Sequence, residues 1–170
     1  ESSFVGYQGK LLSVHVDQIR YSSGRTSKRE VVVKDAFAMV LPVQNDGRIV
    51  TVRQFRHPFE KMELSFPAGR ADEGEEPCAT ALRELEEEAG LRAGRITKLA
   101  ILHEVPEFAR SVGHLYVASD LTEVCTRREE GEATMTLQSF SEDELREMIT
   151  CGQVKSVTVQ AALYHYLEHR

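Results

Sequence analysis

Four glutamates, Glu84, Glu86, Glu87 and Glu88, crowd into five consecutive residues of this 170-residue chain. Glu84 stands three residues before Glu87 and four before Glu88, so a helix through the run makes these three surface neighbours. At about 100° per residue they share an arc of roughly 100°. That arc lies away from an apolar stripe of Cys78, Ala81, Leu82, Leu85 and Ala89. Each like-charge pair costs such a helix a few tenths of a kcal/mol, and acids near a helix C-terminus also oppose the macrodipole. A chain that accepts both penalties either solvates an acidic face or uses it. The use open to three close carboxylates is hard-cation chemistry. Mg²⁺ takes oxygen ligands in an octahedron and commonly keeps waters and substrate phosphate oxygens. Such an ion would relieve the repulsion and give a chain of net charge −6 a place to receive an anion.

The flanking residues weigh toward use. Gly69 is followed after five residues by Glu75, and seven residues later comes Arg83-Glu84-Leu85-Glu86-Glu87-Glu88-Ala89-Gly90-Leu91. This resembles the Nudix box, Gly-x5-Glu-x7-Arg-Glu-U-x-Glu-Glu-x-Gly-U with U apolar, and fits it at every specified position. Seven identities at residue frequencies of roughly 6% each have odds on the order of 10⁻⁸ or lower per start position. The resemblance implies an α+β fold, an α/β/α sandwich with a mixed central sheet and the box as a loop–helix–loop. It implies Glu84, Glu87 and Glu88 as metal ligands, joined by the Ala68 carbonyl. Mg²⁺ is the implied cofactor, and the same oxygen ligands suit Mn²⁺. Glu75 and Arg83 would be a structural ion pair tying loop to helix, and Gly69 and Gly90 would supply backbone geometry closed to residues with a Cβ.

Outside the box the chain looks like the ADP-ribose pyrophosphatase branch of that family. The resemblance rests on the β-rich leading segment, the run Val52-Arg53-Gln54-Phe55-Arg56, and Pro67-Ala68-Gly69. It also rests on Pro106, fifteen residues after Leu91, and on the ending from Gly152 to Leu163. The implied reaction is metal-dependent hydrolysis of the diphosphate linkage of a nucleoside-diphosphate sugar, ADP-ribose giving AMP and ribose 5-phosphate. Arg56, and more weakly Arg53, would contact substrate phosphates, a task suited to the planar guanidinium fork. The water-activating acid of this branch often lies in a loop before the last strand. Residues 126–132 hold Glu129, Glu130 and Glu132, of which Glu132 is favoured, with Glu88 and Glu87 as the helix carboxylates in catalysis. The leading segment, residues 1–37, would pair with a second subunit to make a homodimer, and residues 38–170 would be the catalytic domain.

Two departures widen the substrate question. Ser65 stands where relatives often carry Glu, and Glu107 to His114 replaces a familiar Gly-rich loop. GDP-mannose or a broad nucleotide-sugar range is therefore an alternative, as are (d)NTPs and dinucleoside polyphosphates. A non-catalytic nucleotide-binding domain fits least, because every box acid is present. His57, His103 and His114 are scattered and read as ordinary.

The elements that must position these groups are legible in pattern. Leu12, Val14 and Val16 alternate with polar residues, a half-buried strand, and Glu30 to Val33 resumes one. Ala36 to Pro42 and Ile49 to Phe55 are apolar strand candidates, and Asn45-Asp46-Gly47 between them reads as a hairpin turn. Pro77 suits a first helical turn and Gly90 the left-handed C′ position, which bounds the acidic helix. Strands are expected over 96–102, 113–118 and 134–140, then a helix opening at Ser141 and ending near Gly152, and a last helix over about 156–169.

Composition bounds the rest. The apolar share of 41% and charged share of 28% are ordinary for a globular domain, and the length suits one core. No run approaches the roughly 18 apolar residues of a membrane span, and no secretory leader is visible. A chain opening on Glu1 leaves room for a removed start residue or leader. Cys78, Cys125 and Cys151 are odd in number and widely spaced, which suggests inert thiols in a cytoplasmic protein. The acidic balance argues against nucleic acid, whose phosphates select basic surfaces.

Overall fold

The computed structural model describes residues 2–126 and 134–169. Its centre is a four-stranded mixed sheet in the order β7-β4-β10-β8, built from β4 (Phe37–Pro42), β7 (Ala68–Arg70), β8 (Leu91–His103) and β10 (Val112–Glu123). β10 runs parallel to β4 and antiparallel to β8. β4 is an almost unbroken apolar run because both of its faces are covered, as in a strand at the middle of a sandwich. Ala38 and Val40 pack with Ala81, Leu85 and Ala89 of α1 (Pro77–Ala89) on one side. Met39 and Leu41 face the opposite core, closed by Leu145 of α2 (Glu142–Thr150) and by Val159, Ala162 and Leu163 of α3 (Val157–Glu168). The expected α/β/α sandwich with a mixed central sheet is therefore observed.

Two smaller sheets flank it. β5 (Ile49–Arg56) lies between β11 (Thr136–Phe140) and β6 (Lys61–Ser65). β1 (Ser2–Gln8), β2 (Leu12–Arg20) and β3 (Thr26–Lys34) form an antiparallel sheet, to which the two-residue β9 (Ala109–Arg110) adds in parallel beside β3. The loop from Glu107, which departs from the family pattern, is thus fastened to the leading segment: the Val32 amide donates to the Phe108 carbonyl at 2.8 Å.

One expectation changes. The turn at Asn45-Asp46-Gly47 forms, with Gly47 at φ +85° and Gln44 and Arg48 bonded across it, but β4 and β5 do not continue as a hairpin. A single bridge, Val43 to Ile49, joins them before they part into different sheets. Both edges of β4 are already taken by β7 and β10, and its last residue, Pro42, has no N–H to give a partner.

The box helix ends as expected. Gly90 takes φ +63°, and a Cβ there would lie 2.9 Å from the Val124 carbonyl oxygen. The left-handed cap lets the chain reverse directly into β8.

Candidate active site

Two facts put the acids where they are. β7 pairs antiparallel with β4, Ala38 opposite Gly69 and Met39 opposite Ala68, and the Val40 amide also donates to the Pro67 carbonyl at 2.9 Å. α1 lies over the same face of β4, so its acidic arc is brought against residues 68–70. The arc is therefore not a solvated face. Glu84 is 7% exposed and Glu88 4% exposed, while the Glu87 side chain keeps about a third of its surface (34%). A helix with apolar and acidic faces both buried must have an answer for the charge, since ionised carboxylates are not left unpaired indoors.

Arg83 is a large part of that answer. Its Nε donates to Glu75 Oε1 at 3.1 Å and its Nη2 to Glu75 Oε2 at 3.0 Å, a bidentate grip. Nη2 also donates to the Arg70 carbonyl at 3.0 Å, while Nη1 reaches Glu84 Oε1 at 2.7 Å and Glu87 Oε2 at 2.9 Å. All five N–H donors of the fork are used. Glu75 is further fixed by the Asp72 amide at 3.0 Å and by the hydroxyl of buried Thr80 at 2.9 Å. Glu88 Oε2 accepts the Ala68 amide at 3.1 Å. Glu86, by contrast, turns outward to Arg92, whose Nε donates to it at 2.7 Å.

The Arg83 fork, with the Asp72 amide behind it, holds the Glu75 carboxyl down from the ordinary 4.5 to about 2. The same contacts push the Arg83 pKa up, so the guanidinium stays charged. The linkage sign follows. A depressed folded-state pKa contributes stability that is complete above about pH 4.5 and lost as pH falls toward about 2. Arg83→Met is therefore expected to destabilise the protein strongly at pH 6 and progressively less below pH 4.5. Urea melts of both proteins from pH 6 to pH 2.5 check this, and a pH-independent penalty would refute it.

Gly69 is the tightest point. A Cβ there would overlap the Glu84 carboxylate, so only glycine lets the β7 backbone approach that acid. The residues fit a hard divalent cation in chemistry. The donors are all oxygen, two carboxylates are buried, and the Ala68 backbone lies alongside. Among the described residues no three acidic side chains already close on one point. As they stand, Glu84 and Glu87 lean on Arg83 and Glu88 on the Ala68 amide.

Two clefts meet at this backbone. A cleft of about 450 Å³ is lined by Glu84, Glu87, Arg83 and residues 68–73. A larger one, about 860 Å³, shares Ala68, Gly69 and Arg70 and extends to Arg56, Phe59, Lys61, Lys155 and Thr158 over an apolar floor of Phe37, Met39 and Leu64. Three of its cations are matched by carboxylates in its own lining, Lys34 with Glu104 at 3.0 Å, Lys61 with Glu63 at 2.7 Å and Arg70 with Asp35 at 3.3 Å. Ser65, at the departure from the family pattern, is in this lining, with its hydroxyl turned to the Phe66 carbonyl at 3.0 Å.

A family model, the NUDIX domain, matches residues 33–166. The chain belongs to the NUDIX family. Among curated relatives, ADP-ribose pyrophosphatase of Bacillus subtilis (strain 168) is 37% identical over 142 residues, 82% of this chain and 77% of that protein. ADP-ribose pyrophosphatase of Mycobacterium tuberculosis (strain ATCC 25618 / H37Rv) is 32% identical over 95% of this chain and 80% of that one. Methanol dehydrogenase activator of Bacillus methanolicus is 35% identical over 96% and 80%. A crystal structure of ADP compounds hydrolase superposes with a TM-score of 0.88 over 98% of this chain and 90% of that chain, at 22% identity, which establishes the Nudix fold. The resemblance read from residues 69–91, to the family and its ADP-ribose pyrophosphatase branch, holds.

The positions expected from the Nudix box thus gather in one place: Gly69, Glu75, Arg83, Glu84, Glu87, Glu88 and Ala68 are joined by direct contacts. Gly90 caps the helix away from them. Arg56 lines the larger cleft, but Arg53 does not. The two are three residues apart on β5, so they project from opposite faces of that strand. Glu129, Glu130 and Glu132 lie outside the described residues. Sequence reasoning passed over Thr80, Asp35, Lys34, Lys61 and Lys155. No motif marks them; Lys34 and Asp35 are adjacent, and the other three reach the site from separate segments.

Proposed function

We propose that the protein is a metal-dependent pyrophosphatase of nucleoside-diphosphate sugars, with ADP-ribose as its preferred substrate and AMP and ribose 5-phosphate as products. The observation that carries this is the meeting of two unlike clefts on one piece of backbone, residues 68–70. An acidic pocket for cations opens directly beside a long, floored, cationic cleft. A diphosphate with an organic group on each side fits that arrangement, its bridge at the junction and one group over Phe37, Met39 and Leu64. The names of two of the bacterial relatives, ADP-ribose pyrophosphatase, support the same substrate.

Glu84, Glu87 and Glu88, with the Ala68 carbonyl, would hold Mg²⁺ or Mn²⁺, which when bound polarises the phosphoryl oxygens and lowers the pKa of water. The residues of the chain do the remaining work. Arg56 binds the substrate phosphates through a fork that matches their oxygens. Arg83 keeps the helix acids in place before substrate arrives. A carboxylate takes the proton as water oxygen bonds to one phosphorus, and the bridging oxygen leaves with the other phosphate. Glu132, Glu88 and Glu87 are the acids proposed for that proton, and of these Glu87 lines the acidic cleft.

The reading includes a homodimer. Phe4 and Tyr7, opposite Val16 and Val14 of β2, are each more than half exposed on one face of the leading sheet, an apolar pair that a second copy of the segment 1–37 would bury. Incubation with ADP-ribose, GDP-mannose, diadenosine polyphosphates and dNTPs in Mg²⁺, with chromatography of products, tests the whole. AMP plus ribose phosphate from a preparation of twice the chain mass is expected. Cleavage of dNTPs with no action on nucleotide sugars would overturn the substrate assignment.

A further inference from the structure

We infer that Lys155 is a second phosphate-binding cation of the substrate cleft, acting with Arg56 on the diphosphate of the nucleotide sugar. The inference rests on the nucleotide-sugar reading above and adds to it a residue from the far end of the chain. Five cations line the 860 Å³ cleft, and three of them are neutralised on the spot by Glu104, Glu63 and Asp35. Arg56 and Lys155 have no ion-pair partner among the described residues. The cleft thus keeps an uncompensated positive charge in a chain whose net charge is −6. That charge sits on two residues contributed by different elements.

Pairing the other three has a consequence. A lysine already held by a carboxylate must give up that partner to bind a phosphate, which offsets much of the gain, whereas a free ammonium gives up only water. An incoming anion therefore selects Arg56 and Lys155. The position of Lys155 adds to its effect. It directly precedes Ser156, the N-cap of α3, and Ser156, Val157 and Thr158 line the same cleft, so the positive end of the helix adds potential of the same sign. Arg56 closes β5, a strand, whereas Lys155 lies in the loop that leads into α3. Two cations from separate elements can take the two phosphates of one bridge. Arg56 presents a fixed fork, and Lys155 a point charge on a flexible stem that follows the ligand.

Equilibrium titration in EDTA, where bound ligand is not turned over, tests this with wild type, Lys155→Met and Lys155→Arg. Lys155 is exposed, so neither substitution is expected to move the thermal midpoint. ADP-ribose and inorganic pyrophosphate are each expected to bind Lys155→Met about tenfold more weakly than wild type. Lys155→Arg should stay within about threefold and uncharged adenosine should not discriminate. Rising NaCl should weaken wild type more than Lys155→Met. Pyrophosphate and ADP-ribose binding unchanged within twofold in Lys155→Met overturns the assignment. If wild type ignores ADP-ribose but binds pyrophosphate, and Lys155→Met loses that binding, the substrate reading fails and Lys155 stands.

Discussion

Glu87→Gln is expected to lower kcat for ADP-ribose by about 10³-fold, while Glu86→Gln, one residue earlier in the same acidic run, leaves it within about twofold. The magnitude follows from what each carboxylate meets. Glu87 lines the acidic cleft, is bridged with Glu84 by Arg83 Nη1, and is one of three acids proposed to hold the cation. Taking one anionic ligand from such an ion removes several kcal/mol of transition-state charge stabilisation, and each 1.36 kcal/mol is a factor of ten. Glu86 turns outward to bond Arg92 and lines neither cleft. Neither substitution threatens the fold. Gln keeps the shape and an acceptor oxygen, and at position 87 it also relieves repulsion with Glu84, so thermal midpoints within a few degrees of wild type are expected. Steady-state kinetics of the two variants, with equal circular dichroism, decide the matter. Equal losses in both would mean that helix charge rather than metal ligation is being measured.

That contrast also marks how far the sequence alone could see. The spacing of Gly69, Glu75, Arg83, Glu84, Glu87, Glu88 and Gly90 is enough to place one helix, its cap and the shared side of its acids, because a helix converts spacing directly into shared direction. It was not enough to tell that the acidic arc is buried. Burial of Glu84 and Glu88 depends on β7 pairing with the edge of β4, a contact between residues about thirty apart that no local period reveals. The same applies to β4 and β5. The Asn-Asp-Gly turn is real, yet the strands part, because strand pairing is decided by which edges remain open after the whole sheet assembles. The cationic cleft was the least legible part. Arg56 is expected from the family resemblance of the run Val52 to Arg56, and it lines the cleft. Lys34, Lys61 and Lys155 come from three separate places in the chain, and a lone lysine carries no pattern.

Gly69→Ala is expected to reduce kcat by about 10²-fold and to destabilise the protein by about 1–3 kcal/mol, although it adds a single methyl group. In ordinary β structure alanine is tolerated better than glycine, since it has less chain entropy to lose. Gly69 has no left-handed backbone that would reverse this. Steric contact does so, because its Cβ would overlap the carboxylate of Glu84. Glu84 cannot simply swing aside. It is buried, its Oε1 is held by Arg83 Nη1, and the same nitrogen holds Glu87. The displacement is therefore shared between β7 and two proposed metal ligands, and a misplacement of about 1 Å costs about 10²-fold in a preorganised site. The metal dependence separates this from general damage. The Mg²⁺ concentration for half-maximal rate should rise in Gly69→Ala, and its substrate KM at saturating Mg²⁺ should stay within about threefold of wild type. A variant with unaltered Mg²⁺ dependence and lowered stability would reduce Gly69 to a packing residue. It would also remove the main geometric reason for placing the cation between β7 and the acidic face of α1.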